Sequence, residues 1–171
     1  MNPLKQTRLS AGMTQKAIAS ATDMSPHAIL RYEQGLYDQL SPKLSLFCSQ
    51  HLDILHSEVE LRYANFQLEK RRQAAQYFMP PPQLVMSHLE HPFVFFRNVI
   101  TTRAVGKKTR IGFCVLLAMN PAVVLQYEKG QSPKMPHLIV GCLNDALVPG
   151  GLINDLSSYG EIWSERYGGS D

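Results

Sequence analysis

This sequence of 171 residues is poor in the residues that build metal sites and disulfide-stabilised folds. It has three cysteines, Cys48, Cys114 and Cys142, and they are far apart in the chain. An odd number of cysteines without a CxxC pair argues against both a disulfide framework and a zinc finger. We therefore expect three buried thiols that pack as small apolar groups, and we expect no metal ion and no cofactor.

Long apolar segments are missing as well. No apolar run approaches the roughly 18 residues that a membrane-spanning helix requires, so no membrane partner is expected. The start MNPLKQTRLS is not followed by the apolar core of a signal peptide. This combination predicts a cytoplasmic protein.

The motifs of common enzyme classes are also absent. The sequence has no Walker loop, no dinucleotide-binding loop, no hydrolase nucleophile elbow and no paired acidic motif. His88 and His91 stand three residues apart, but Pro92 follows them and no fourth ligand is evident, so a metal site is disfavoured. We expect that the protein is not an enzyme.

Charge is scarce and unevenly distributed. The formal net charge is only +3, yet one region is strongly basic. Between positions 97 and 134 a single acidic residue, Glu128, accompanies Arg97, Arg103, Lys107, Lys108, Arg110, Lys129 and Lys134. Such a surface suits contact with phosphates, but it is equally consistent with a solvated face.

Proline and glycine divide the chain into helical segments. The stretch 56–79 has neither residue and predicts one long, mostly exposed helix, which Pro80, Pro81 and Pro82 end. A second globular segment follows from about 83, with a final helix around 152–167. No alternating pattern is strong enough to build a sheet, so an all-α fold is predicted.

The segment 14–35 has the pattern of two short helices joined by a tight turn. Thr14 and Ser25 are suitable N-caps, and Pro26 fits the first turn of a helix because its missing N–H would have no partner there. Gly35 predicts a left-handed C-cap. Two short helices around a turn of three residues form a helix-turn-helix, whose second helix enters the major groove of DNA.

These residues resemble the Cro and phage-repressor family of helix-turn-helix proteins, often called XRE-like. The resemblance covers about 4–55 and rests on Arg8, Ala11, Gly12, Met13, Thr14, Gln15, Ala19, Met24, Ser25, Ile29 and the run Tyr32-Glu33-Gln34-Gly35. It implies a five-helix bundle that binds specific sequences of double-stranded DNA, usually as a homodimer on a palindromic operator. It also implies a transcriptional regulator such as a repressor, associated with the nucleoid when bound to DNA, of a kind often carried by mobile genetic elements.

The resemblance assigns roles to individual residues of this chain. It implies that Gln15 clamps a phosphate at the start of the second helix. Ser25, Pro26 and His27 then form the exposed start of the recognition helix, and Arg31 lies one turn further along. An arginine there can bond guanine O6 and N7 together. Tyr32 and Glu33 are interpreted as structural residues.

A weaker second copy emerges when the sequence is shifted by 95 positions. The shift superposes identical residues on the structural positions of the motif: Thr7-Arg8 on Thr102-Arg103, Thr14 on Thr109, Met24 on Met119, Pro26 on Pro121, Leu30 on Leu125, Tyr32-Glu33 on Tyr127-Glu128, and Gly35 on Gly130. Identities clustered in this way predict a tandem repeat of one fold.

The second copy has its own candidate DNA-binding residues. Arg110 takes the phosphate-clamping position and Gln126 has the amide that pairs with adenine. The other candidates are Lys107, Lys108, Asn120 and Lys129. Its helix start is apolar, with Pro121, Ala122 and Val123, and Gly112 falls inside the expected second helix at a cost of about 1 kcal/mol.

Together these patterns predict two lambda-repressor-like helical bundles joined by a long helix. The expected division is an N-terminal domain at 1–55, a linker helix with a proline-rich break at 56–82, and a divergent second domain at 83–171. The favoured hypothesis is a DNA-binding regulator with two modules per chain. The alternative is an antitoxin-like or antiactivator-like adaptor whose second copy serves for dimerisation or binds a protein partner.

Overall fold

The computed structural model describes residues 1–80, 92–129, 131 and 135–147. This part of the chain contains nine α-helices, one 3-10 helix and no strand, which confirms the all-α prediction. The helices are α1 (Pro3–Ser10), α2 (Gln15–Thr22), α3 (Pro26–Gln34), α4 (Pro42–Leu52), α5 (His56–Ala74), α6 (Pro92–Val105), α7 (Arg110–Leu117), α8 (Pro121–Glu128) and α9 (His137–Leu147), with the 3-10 helix at Ala75–Tyr77. The final helix predicted around 152–167 lies outside the described residues.

The chain divides into two compact units. Unit 1 comprises Met1–Gln73 and Cys114–Asn120, and unit 2 comprises Ala74–Phe113 and Pro121–Asp171. Within the described ranges, no helix is long and apolar enough to span a membrane.

Unit 1 has a core that α1 to α4 share with the first half of α5. Most of its side chains are aliphatic, and the fully buried ones include Leu4, Ile18, Ile29, Leu44, Cys48 and Val59. Tyr63 of α5 also belongs to this core, and its hydroxyl donates to the carbonyl of Tyr37 (2.9 Å). The opposite face of α5 is open, since Leu61 is 60% exposed. One face of the long helix, with Val59 and Tyr63, thus completes the N-terminal core.

Unit 2 is built around aromatic side chains. Phe93, Phe96 and Phe113 are fully buried, and Tyr127 is nearly so. The Phe93 ring meets the rings of Phe113 and Tyr127 edge to face, with centroids 5.7 and 5.4 Å apart. Edge-to-face pairs of this kind add to the energy of area burial alone. The apolar run 92–96 thus forms the start of a helix and supplies the centre of this core.

The three cysteines are buried thiols, as predicted. Burial raises the pKa of the Cys48 thiol to about 11, against a smaller lowering effect of the Thr7 hydroxyl. A thiol of this kind is protonated at neutral pH, which fits an apolar packing role.

Candidate nucleic-acid interface

The turn between α2 and α3 has a tightly specified geometry. Thr14 caps α2 by accepting a hydrogen bond from the Ala17 amide (3.1 Å). Asp23 ends the helix in the left-handed conformation with φ 55°, and the next amide, that of Met24, donates to Ala19 O (2.9 Å). Ser25 then caps α3, as predicted. Two helices joined by three residues, with both helix starts capped, match the predicted helix-turn-helix unit.

Gly35 ends α3 as the predicted left-handed C-cap, with φ 80°. A Cβ atom at this position would lie 2.8 Å from the Ala118 Cβ and 3.0 Å from a ring carbon of Phe66. Both the backbone conformation and the crowding therefore require glycine.

The start of α3 is its open surface. Ser25, Pro26 and His27 are exposed, whereas Ile29 and Tyr32 are buried in the unit 1 core. Arg31 is half-buried, and its Cζ lies 6.0 Å from the centroid of the Tyr37 ring. One face of α3 thus anchors the helix and the other presents its first turn and a guanidinium.

A buried carboxylate connects α1, α2 and α3. Glu33 is 8% exposed, and its Oε1 accepts from Arg8 Nε at 2.6 Å. Its Oε2 accepts from the side-chain amide of Gln15 at 2.7 Å. Gln15, predicted to clamp a phosphate, is therefore held at the first turn of α2 by one of its two amide hydrogens. The sequence pattern indicates a structural role for Glu33 but does not reveal that Arg8, in the same pattern, is its ion-pair partner.

The segment 110–128 repeats several of these local features 95 positions later. Helix α7 has the bounds of α2 shifted by 95, and α8 begins 95 residues after α3. Ala118, the counterpart of Asp23, is also left-handed with φ 48°. The Met119 amide donates to Cys114 O at 2.9 Å, as Met24 does to Ala19.

The capping of α7 also follows that of α2, and it changes the interpretation of Gly112. The Gly112 amide donates to the Thr109 hydroxyl at 3.0 Å, so this glycine lies in the first turn of α7 and not in its interior. A Cβ on Gly112 would lie 2.7 Å from the Thr109 Oγ1. The same cap is made to an alanine at this position in α2 and α3, Ala17 and Ala28, so a Cβ at 112 would require only a small adjustment of the Thr109 side chain.

Unit 2 has its own carboxylate cluster. The Glu128 side chain is 7% exposed, and its Oε1 lies 2.6 Å from Arg97 Nε of α6. Its Oε2 accepts from Arg110 Nε at 2.8 Å. The guanidinium predicted to contact phosphate is thus tied to Glu128 while its side chain stays 43% exposed. From the sequence, Arg97 is only a part of the basic region, because its partner lies 31 residues away along the chain.

Helix α6 corresponds to α1 in the predicted repeat, but its buried threonine lies one position away from the one that the sequence superposition pairs with Thr7. Thr7 is buried and donates to the carbonyl four residues earlier, Pro3 O, at 2.9 Å. In α6 both Thr101 and Thr102 donate to the carbonyl four residues earlier, Arg97 O (2.8 Å) and Asn98 O (2.7 Å), but only Thr101 is buried. By burial the counterpart of Thr7 is therefore Thr101, one residue before the Thr102 of the sequence superposition. The cause is an extra residue between the left-handed Gly106 and Thr109, compared with the shorter step from Gly12 to Thr14.

The remaining candidates of the predicted second copy are exposed or half-buried. Lys107 and Lys108 precede α7, Gln126 lies on α8, and Lys129 follows it, all of them at least partly exposed. Asn120 lies just before α8 and is half-buried. In the described part of the chain, no cluster of histidine, cysteine and acidic residues has the arrangement of a metal site. His88 and His91 lie outside the described residues.

The comparisons with known proteins agree with this geometry for the N-terminal segment. A family model described as helix-turn-helix matches residues 4–59, about a third of the chain. Comparison with curated proteins and comparison with solved structures give no match. Residues 4–59 are accordingly similar to helix-turn-helix domains of the XRE type, a type of domain found in DNA-binding regulators.

Proposed function

We propose that this protein regulates transcription by binding a specific double-stranded DNA sequence, with α3 in the major groove. The observation that carries the proposal is the two-sided character of α3. Ile29, Tyr32 and Glu33 fix one face in unit 1, while the first turn at 25–27 is exposed at its N-terminus. The N-terminal residues of a recognition helix are the ones that contact base edges in helix-turn-helix proteins.

The side chains of this surface divide into two kinds of contact. Arg31 is assigned to a guanine, because its guanidinium can bond O6 and N7 together, and His27 to a purine or a phosphate. Ser25 uses its oxygen to accept from the Ala28 amide, which leaves its O–H to donate to a phosphate. Gln15 has one amide hydrogen on Glu33, and we assign the second to a phosphate. Pro26 has no donor, so it contributes apolar contact only.

We infer further that residues 83–147 contain a diverged second copy of the same fold. The shared helix bounds, the left-handed turn residue and the threonine cap support this inference. Two guanidinium groups surround the single carboxylate of Glu128, so that cluster keeps a net positive charge beside Lys107, Lys108 and Lys129. We assign these residues, with Asn120 and Gln126, to an additional DNA contact.

The assembly proposed for DNA binding is a homodimer on a palindromic operator. Dimers of helix-turn-helix proteins read two half-sites about one helical turn apart, so the selected DNA should have two-fold symmetry. Sedimentation of the full chain with and without its DNA measures the stoichiometry. An asymmetric site bound by one chain would contradict this assembly and would leave the DNA-binding proposal intact.

The experiment that tests the main proposal is selection of bound sequences from random duplex DNA by the full chain. Binding of the selected sequence is then compared for the wild type, Arg31→Ala and Arg72→Ala. Arg31→Ala should lose about 1–3 kcal/mol and relax one base preference. Arg72→Ala is the matched control, since it removes the same charge from an exposed residue in the last turn of α5. If the wild type enriches no sequence, the proposal is wrong.

A second candidate function is that of an adaptor, in which the second copy binds a protein partner or dimerises. It is favoured by the start of α8, where Pro121, Ala122 and Val123 offer no hydrogen-bond donor to a base. The two functions differ in the salt dependence of DNA binding by the full chain. Lys107→Gln with Lys108→Gln should flatten the slope of log K against log salt by about 0.9 for each phosphate that is no longer neutralised.

The control for that titration is Lys70→Gln with Arg72→Gln, which removes two positive charges from α5. An unchanged slope in the Lys107 and Lys108 variant favours the adaptor function. Purification of the full chain with a second polypeptide that protects the start of α8 from hydrogen exchange would support it directly.

A further inference from the structure

The guanidinium of Arg31, which we assign to a base, lies over an aromatic ring outside the helix pair α2 and α3. Arg31 Cζ lies 6.0 Å from the centroid of Tyr37, in the loop between α3 and α4. A cation at this distance over an aromatic face is attracted to the negative electrostatic potential of that face, which arises from the ring quadrupole. The loop after α3 therefore influences which conformers Arg31 occupies.

Tyr37 is itself held from two sides. Its ring lies against the buried Tyr32 ring of α3, with centroids 4.2 Å apart. Its carbonyl accepts from the Tyr63 hydroxyl (2.9 Å) and from the Gln67 side-chain amide (2.8 Å). The same Gln67 nitrogen also donates to Gly35 O at 2.9 Å. Helix α5 thus fixes the backbone from the end of α3 to Tyr37.

A fixed ring beside a long cationic side chain has a consequence for specificity. A free arginine samples many rotamers and loses that freedom when it bonds a base in two places. A platform that restricts the guanidinium before binding reduces this loss for the sequence that offers guanine at the right place. It gives no such advantage to other sequences, so it increases discrimination more than affinity.

We propose that Tyr37 is a positioning residue for Arg31, so that the base preference of α3 depends on a ring that lies outside the helix pair. This inference rests on the proposed function, because it presupposes that Arg31 reads a base. It also extends the specificity machinery beyond the matched segment 4–59, since Tyr63 and Gln67 hold the platform in place.

The test measures discrimination at one base pair. Two duplexes are compared: the selected sequence, and the same sequence changed at the base pair whose preference Arg31→Ala relaxes. The ratio of the two affinities is measured, in the full chain, for the wild type, Tyr37→Leu and Tyr37→Phe. Tyr37→Leu should lower this ratio about two- to fivefold, and Tyr37→Phe, which keeps the ring, should leave it unchanged. Thermal unfolding of each variant establishes that it is folded, and Tyr37→Met is the substitute ring-free variant if leucine unfolds the chain.

A double-mutant cycle separates positioning from support of the fold. In the Arg31→Ala background, Tyr37→Leu should have no further effect on the ratio. An equal loss of affinity for all sequences, with or without Arg31, would mean that Tyr37 only supports the fold, and it would overturn the proposal. If the wild type discriminates and Tyr37→Leu keeps the full ratio, this inference alone is wrong. If the wild type shows no preference, the proposed function is wrong and this inference falls with it.

Discussion

The buried glutamates at the ends of α3 and α8 occupy the same place in the sequence pattern, 95 residues apart, but their partners differ. Glu33 accepts from one guanidinium, that of Arg8, and from the neutral amide of Gln15. Glu128 is surrounded by two guanidiniums, those of Arg97 and Arg110. The first cluster is electrically balanced, and the second keeps one positive charge. The same type of buried glutamate thus lies beneath the surface where we propose that Arg31 reads a base, and beneath a more basic surface in unit 2.

The largest expected effect comes from removing these anchors. Glu33→Ala and Glu128→Ala should each destabilise their own unit by about 3–5 kcal/mol, because a nearly buried guanidinium is left without its carboxylate. The loss should be greater for Glu128, since the Arg97 side chain is 10% exposed whereas that of Arg8 is 19% exposed.

Thiol labelling under native conditions measures this difference unit by unit. Cys48 and Cys142 are buried in units 1 and 2 respectively, so each reacts mainly when its own unit opens. Peptide mass spectrometry identifies which of them has reacted, and Glu33→Gln and Glu128→Gln are the isosteric controls. Equal acceleration of both thiols by either alanine variant would contradict the assignment of each anchor to its own unit.

The left-handed glycines before α2 and α7 have more similar surroundings than the two glutamates have. Gly12 (φ 63°) and Gly106 (φ 68°) both have open space where a Cβ would be added. Gly12→Ala and Gly106→Ala should therefore each cost about 1–2 kcal/mol, which is the strain of an L-residue in this conformation. Equal changes in the free energy of unfolding, measured by urea denaturation, are expected if the two turns are equivalent. A cost near zero for one of them would show that its turn differs in solution.

The sequence predicted the elements that depend on local chemistry. The cap residues Thr14 and Ser25 and the left-handed Gly35 follow from which side chains can satisfy a helix end, so the helix pair was predictable in detail. The ion pairs were not, because the partners of Glu33 and Glu128 are set by packing between helices 25 and 31 residues apart in sequence. For the same reason, the position of the Arg31 guanidinium over the Tyr37 ring has no signal in the helical periodicity.

A smaller effect on stability tests whether Thr101 or Thr102 of α6 is the counterpart of Thr7. Thr7→Val and Thr101→Val should each cost about 1 kcal/mol, because each removes a buried hydroxyl that is bonded to a carbonyl four residues earlier. Thr102→Val should cost less, since Thr102 is exposed and water can replace the hydrogen bond from its hydroxyl to Asn98 O. Urea denaturation of the three variants decides between the two alignments. A larger cost for Thr102→Val than for Thr101→Val would restore the pairing that the sequence predicted.

Arg110 stands where unit 1 has Gln15, so replacing Arg110 with glutamine tests whether the different partners of Glu33 and Glu128 affect DNA binding. Arg110→Gln reproduces the amide–carboxylate pair of unit 1 and should leave stability nearly unchanged, because the Arg110 side chain is 43% exposed and Arg97 still balances Glu128. If the guanidinium also contacts a phosphate, the slope of log K against log salt should fall by about 0.9. That loss should be uniform across DNA sequences, in contrast to the loss expected for Arg31→Ala, which should relax one base preference. A slope equal to that of the wild type would mean that Arg110 serves only to hold Glu128, and the basic surface of unit 2 would then have to act through its lysines or through a protein partner.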